Sequence, residues 1–153
     1  MPGPDSRFGV ALHALTLMAY ADAPVPSQRI AMSVGTNASW IRESAGALRA
    51  AGIIRSVRGP GGGLTLAADP GDITLAQIWL AVEGPALQPA RLATQPDNRC
   101  AIGGHIEPHL CALSARMVEA VRADLAQTTL AEWAAGVAPD GRESPPGGPA
   151  AST

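Results

Sequence analysis

The chain has 153 residues, 46% of them apolar but only 3% aromatic, which is enough for one helical core built on small aliphatic residues and too little bulk for a large β structure. It shows no run of roughly 18 uninterrupted apolar residues, no export signal and too few cysteines (Cys100, Cys111) for a disulfide framework, so a cytoplasmic protein without membrane contact is expected. The net charge of -2 argues against general nucleic-acid affinity, yet five arginines (Arg29, Arg42, Arg49, Arg55, Arg58) and one acid, Glu43, lie between Arg29 and Ala68, leaving six arginines against twelve acids elsewhere.

Phe8 to Ala21 is apolar at a nearly helical period and predicts a first helix that stops before Pro24. Ser27 to Val34 predicts a short second helix with Ile30, Ala31 and Val34 on one face, closed by Gly35. Thr36-Asn37 offers a turn and a cap. A third helix is expected from about Asn37 to Ala51, with Ile41, Ala45 and Leu48 on its apolar face, Arg42 and Arg49 elsewhere, and Gly52 as its left-handed stop. Two helices joined in this way make a helix-turn-helix, whose second helix is the candidate reader of DNA. Ile53, Ile54 and Val57 are β-formers, Pro60 to Gly63 break the strand, and Leu64-Thr65-Leu66 resumes it. That pattern is a wing, with Arg55 and Arg58 beside its glycine tip.

Beyond the wing, Pro70-Gly71-Asp72 reads as a turn and Thr74-Leu75-Ala76-Gln77 as a capping box opening a helix to Glu83. Pro85 to Asn98 has three prolines and no period, so a loop is expected. A long helix is predicted to start around Pro108 and run to about Gln127, with Ile106, Leu110, Leu113, Met117, Val121 and Leu125 as its apolar stripe. Such a stripe serves a two-fold partner helix as well as the chain's own core. Thr129 to Glu132 repeats the capping box before a last short helix carrying Trp133, and from Ala138 onward no large apolar residue occurs, so disorder is expected. The expected fold is mainly α: a winged helix-turn-helix with a two-stranded wing and a long C-terminal dimerisation helix. The expected organisation is a DNA-binding domain over 1–84, a linker or sensor loop over 85–104, a dimerisation helix and short C-terminal helix over 105–137, and a tail over 138–153.

These pieces, in this order, resemble the Rrf2 family of bacterial winged-helix transcription regulators. The residues concerned are Ser6-Arg7-Phe8 with Leu12-His13, Ser27 with Ile30-Ala31, Thr36-Asn37, Arg42, Leu48-Arg49-Ala50-Ala51-Gly52-Ile53, the Gly59 to Gly63 tip, and Ile73-Thr74-Leu75 with Ala81-Val82-Glu83-Gly84. The resemblance implies a homodimer held by the long helix, with paired reading helices in successive major grooves of an inverted-repeat operator on double-stranded DNA and wings over the flanking minor grooves. The expected DNA-binding residues are Ser27, Thr36, Asn37, Ser39, Arg42, Arg49, Arg55, Arg58, Gly61 and Gly62. Thr36, Asn37, Ser39 and Arg42 sit at the amino end of the reading helix, where hydroxyl, amide and guanidinium groups meet base edges and phosphates. Arg58 on a flexible tip suits a narrow, electronegative minor groove. The plainer alternatives are that Thr36 and Asn37 only cap and that Arg55 is a solvated strand residue. Trp40 and Ala38 depart from the family pattern of an aliphatic residue and a proline, and Trp40 is expected in the core.

Several family members hold an iron-sulfur cluster on three cysteines between wing and long helix, whereas this chain has two cysteines there. Asn98-Arg99-Cys100-Ala101-Ile102-Gly103 looks more like the cluster-free branch, so no cofactor is expected. The alternative, a two-iron cluster, would need His13, His105, His109 or a carboxylate beside Cys100 and Cys111. His105 and His109 share a face only if the helix already includes both. Cys100 and Cys111 are also candidates for a thiol switch, and the plain alternative for Cys111 is a small buried hydrophobe. Nothing points to an enzyme: the glycines at 61 to 63 lie between strands rather than in a phosphate-cradling loop, and no nucleophile has a recognisable base. The expected function is a dimeric, sequence-specific transcription regulator of repressor type, responsive to redox state through its cysteines. The competing classes are a metal-binding redox sensor of the same fold and a protein-interaction module that has lost DNA binding.

Overall fold

The computed structural model describes residues 7–84, 89–92 and 94–138, so the predicted tail lies outside the described residues apart from Ala138. The elements run α1 (Arg7–Ala19), α2 (Ser27–Val34), α3 (Ala38–Ala50), β1 (Ile54–Val57), β2 (Gly63–Leu66), α4 (Leu75–Glu83), α5 (Ile106–Leu125) and α6 (Leu130–Val137). Helix α1 is the hub. It packs on α2, α4, α6 and β2, and it buries Leu12, Leu15, Met18 and four smaller residues, because a helix apolar on most of its circumference is stable only when surrounded. Its one buried hydroxyl, Thr16, donates to the Leu12 carbonyl at 2.7 Å, so no polar group is stranded in the core.

Local chemistry sets the helix-turn-helix. Gly35 ends α2 with φ 80, and Asn37 caps α3 through its side-chain oxygen, which accepts from the Trp40 N–H at 2.8 Å. Ile41, Ala45 and Leu48 are the buried face of α3, and Gly52, with φ 72, turns the chain into β1. Trp40 packs half-buried against the core edge.

The wing is a two-stranded antiparallel sheet in the register Ile54↔Leu66 to Val57↔Gly63. It is tied down from outside. Val25, in the α1–α2 connection, exchanges two backbone hydrogen bonds with Leu64, at 2.9 and 2.8 Å, and so acts as a one-residue third strand. Gly63 lies where a Cβ would sit 2.4 Å from the Val25 carbonyl, which leaves glycine as the only residue that permits the contact.

Helices α4 and α6 open on capping boxes, Thr74 with Gln77 and Thr129 with Glu132, and the two openings are joined to each other. The Leu75 N–H donates to the Thr128 carbonyl at 3.0 Å and the Leu130 N–H to the Ile73 carbonyl at 2.7 Å. Leu130, Ala131 and Ala134 are fully buried, and the Tyr20 hydroxyl donates to the Ala134 carbonyl at 3.0 Å, which locks α6 onto α1.

Helix α5 starts at Ile106, two residues before Pro108, and packs on α4. Its predicted apolar stripe is divided. Ile106, Leu110 and Leu125 are half-buried, as is Val118 outside that stripe, and the buried Ser114 oxygen accepts from the Ala90 N–H at 3.0 Å, while Leu113, Met117 and Val121 stay about 40% exposed.

Leu130→Ala is expected to cost about 2–5 kcal/mol in urea unfolding because it empties a fully enclosed site. Val121→Ala, at an exposed position, is expected to change the stability of an isolated protomer by no more than about 0.5 kcal/mol.

Candidate nucleic-acid interface

On α3 the core-facing residues leave Ser39, Arg42, Glu43 and Arg49 exposed. Asn37 spends its carbonyl oxygen on the cap, so only its amide nitrogen is left to donate elsewhere. Thr36 is half-buried and plays no part in the cap. Arg42 donates from Nη2 to Ser39 Oγ at 3.1 Å, which draws the guanidinium back toward the amino end of the helix. Arg49 lies seven residues, about two turns, further on the same flank and donates from Nη1 to Ser56 Oγ on β1 at 3.0 Å. That contact links the reading helix to the wing. Ser56 could not be found from sequence, since nothing in a strand's alternation says which helix crosses it.

Ser27 is the half-buried first residue of α2, where Pro26 supplies no side-chain cap for the first-turn N–H groups. Arg55 and Arg58 are exposed on β1 and at the start of the tip. The tip glycines have a structural cause of their own: Gly59 and Gly61 have φ 89 and 73, and a Cβ on Gly62 would lie 2.3 Å from the Val57 carbonyl. Among the described residues the ion pairs are Arg99 with Asp97 and Arg122 with Glu119. None involves Arg29, Arg42, Arg49, Arg55 or Arg58. These exposed guanidinium groups, two of them hydrogen-bonded to serines, thus have no carboxylate to give up among the described residues before meeting phosphate.

The sensor candidates stand apart from this surface. Cys100 is exposed in a tight turn in which its N–H donates to the Asp97 carbonyl at 3.0 Å and the Gly104 N–H donates to the Cys100 carbonyl at 2.9 Å. A Cβ on Gly103 would lie 2.5 Å from the Asp97 carbonyl, so the turn requires glycine there. The N–H groups of Gly103 and then Ile102 point at the sulfur and hold the Cys100 thiol below its ordinary pKa. Cys111 is exposed on α5, which removes the alternative of a small buried hydrophobe: this part of α5 turns Ile106, Leu110 and Ser114 toward the protein and Cys111 away. It borders a cavity of about 490 Å³ between the linker and α5, shared with Arg91, Gln95, Asn98 and Glu107.

His105 is the N-cap residue of α5 and His109 lies in its first turn, so the helix does not place both imidazoles within its regular body. Their Nδ1 atoms contact the Ala101 and His105 carbonyls at 2.9 and 3.0 Å. His13 is elsewhere, with Nε2 3.0 Å from Ser33 Oγ. Among the described residues no three His, Cys, Asp or Glu side chains converge to hold a metal ion.

A helix-turn-helix with a polar, arginine-bearing reading helix and an arginine-bearing wing is the winged-helix fold used by DNA-binding transcription regulators. The chain belongs to the Rrf2 family, described as iron-dependent transcriptional regulators, whose family model matches residues 5–136. It is 39% identical over 74 residues to the HTH-type transcriptional regulator IscR of Photobacterium profundum, a match covering 48% of this chain and 40% of that relative. The chain thus aligns with less than half the length of its IscR relatives. With YwnA of Bacillus subtilis, which carries the HTH-type regulator designation, it is 31% identical over 82% of this chain and 92% of that one. A crystal structure of a protein from Lactobacillus plantarum assigned as a transcriptional regulator superposes with TM-score 0.73 and 27% identity, over 86% of this chain and 89% of the other. No helix among the described residues is long and apolar enough to cross a membrane. The family description includes iron; this chain has two cysteines, and among the described residues of one protomer His13, His105 and His109 form no ligand set with them.

The depressed thiol predicts that iodoacetamide at neutral pH labels Cys100 readily, with a rate that falls on acidification only below the range of an ordinary thiol. Gly103→Ala, which breaks the turn, should slow that labelling, as peptide mapping by mass spectrometry would report.

Proposed function

We propose that two copies of this chain form a sequence-specific repressor that occupies an inverted-repeat operator. The observation that carries the reading is the run of exposed arginines from the α3 flank, through the Arg49–Ser56 contact, to the wing, none of them in an ion pair among the described residues. On it, Asn37, Ser39 and Arg42 face base edges at the head of the reading helix, with Thr36 beside them. Ser27, Arg49 and Arg55 meet phosphates, and Arg58 enters the minor groove from a tip that Gly61 and Gly62 keep slim. In this reading residues 1–84 bind DNA, 85–104 link, 105–137 dimerise and brace, and 138–153 form a tail. The exposed Leu113, Met117 and Val121 of α5 supply the two-fold interface, since three large apolar side chains in a row on one face are poorly placed in water. A dimer of single reading helices addresses half-sites about 10 base pairs apart, and repression follows from occupying that stretch of promoter.

A redox-responsive version rests on one specific observation, the Cys100 thiol held as a better nucleophile in the turn that leads into α5. Its oxidation would disturb that turn and, through α5, the spacing of the reading heads.

Aspartates at Met117 and Val121 together should yield monomers in ultracentrifugation that bind an operator poorly; unchanged dimers would overturn the interface. Arg58→Ala should weaken binding to all sequences alike and lower the salt slope by about 1, whereas Asn37→Ala or Arg42→Ala should alter base preference by about 1–3 kcal/mol at one position per half-site. An Arg58→Ala protein with unchanged affinity and slope would remove the wing from the interface.

A further inference from the structure

We infer that the groove between α1 and α6 is the seat of this chain's own proline segment, Pro145-Pro146-Gly147-Gly148-Pro149, which lies outside the described residues. The groove is an open cavity of about 560 Å³ whose walls include Phe8, Leu12, Tyr20, Trp133, Val137 and Ala138. Phe8 and Tyr20 are the chain's sole phenylalanine and tyrosine, and with Trp133 they make three of its five aromatic side chains. A chain so poor in aromatics fills most of its core with Leu, Ile and Ala and places most of its rings here, at the edge of water. Phe8 and Tyr20 are half-buried, Trp133 is 39% exposed and Val137 54%. The Tyr20 hydroxyl, donating to the Ala134 carbonyl at 3.0 Å, fixes its ring in the wall. Rings held in place with one face wet form a contact surface for an apolar group.

The occupant is indicated by where the chain leaves the fold. Ala138, the last described residue, is itself part of the groove wall. The fifteen residues after it hold four prolines and no Leu, Ile, Val, Met or aromatic residue, so proline rings are the main apolar groups they offer. Proline rings pack on aromatic faces, and their preset φ leaves little freedom to lose on docking. Each proline also presents a carbonyl acceptor and no N–H, while the Trp133 indole N–H is a donor only, so the two are complementary. Pro145 is seven residues beyond Ala138, a reach of about 22 Å in the polyproline conformation. The α1 wall from Phe8 to Tyr20 is about 18 Å long, so the segment spans the site without strain. A short tether sets the local concentration of the segment in the millimolar range, which suits a contact of a few rings. Docked there, it covers the groove within each protomer and leaves the exposed face of α5 to other contacts.

The test follows the Trp133 indole N–H signal of the full chain by nuclear magnetic resonance, assigned with Trp133→Phe. Pro145→Ala, Pro146→Ala and Pro149→Ala combined should shift that signal while leaving those of Trp40 and Trp79 in place, and a chain ending at Ala138 should shift it in the same direction. A synthetic peptide of residues 139–153, added to the shortened chain at millimolar concentration, should move the signal back toward its full-chain position, and the same peptide with the three alanines should not. Nuclear Overhauser contacts in the full chain should join the indole to proline ring protons. Circular dichroism checks that neither change alters the helices. A Trp133 signal unmoved by the alanine and shortened chains overturns the inference, as does a peptide without effect. A signal that moves only when Met117→Asp and Val121→Asp separate two copies makes the second copy the occupant, and overturns it equally.

Discussion

Two backbone hydrogen bonds between Val25 and Leu64 decide where the wing stands relative to the reading helix. A two-stranded hairpin of four residues per strand has no independent stability in water, and its glycine tip adds none. Pinned at Val25, it shares the core through Ile54 and Leu64 and receives the Arg49 guanidinium on its Ser56 hydroxyl. The arginine-bearing flank of α3 and strand β1 are therefore held to each other and to the core. A polyanion binds such a patch without first ordering it, which reduces the entropic cost of association.

The second half of the chain repeats a device. Thr74-Leu75-Ala76-Gln77 and Thr129-Leu130-Ala131-Glu132 are nearly the same four residues, each satisfying its own helix start, and the segments preceding the two helices pair as a single antiparallel bridge. Helix α5 runs between them. It packs on α4, its Ser114 hydroxyl in the first half of the helix accepts from the linker's Ala90 N–H, and its last residue, Leu125, meets the core, so a shift of α5 disturbs α4 and, through α4, α1. A signal that tilts α5 would thus be felt at the helix-turn-helix by packing alone.

Charge on the DNA-facing side is arranged by subtraction as much as by addition. The protein is acidic overall, yet its two ion pairs among the described residues lie on the linker and on α5, away from α3 and the wing. In the proposed reading, phosphate affinity comes from arginines without an ion-pair partner among the described residues, and selectivity from short polar groups at the helix head.

Local rules were legible in the sequence because they act over three or four residues. Gly35 and Gly52 ended their helices, Asn37 and the two threonines capped theirs, and the glycine tip stood between two β segments. The tertiary structure alone decided the rest. The single apolar stripe read along α5 is two half-faces, because periodicity reports that a face is apolar and not which part of it a neighbour covers. Cys111 is exposed although free cysteine commonly packs as a small hydrophobe, and Ser114 is buried although nothing near it in sequence needs a hydroxyl. Val25 and Ser56, which fix the wing, make contacts 39 and 7 residues away through partners that chain proximity does not indicate. The sequence by itself determined the elements, their ends and the family; which groups those elements bring together depended on long-range packing, where the physical cause is another part of the chain.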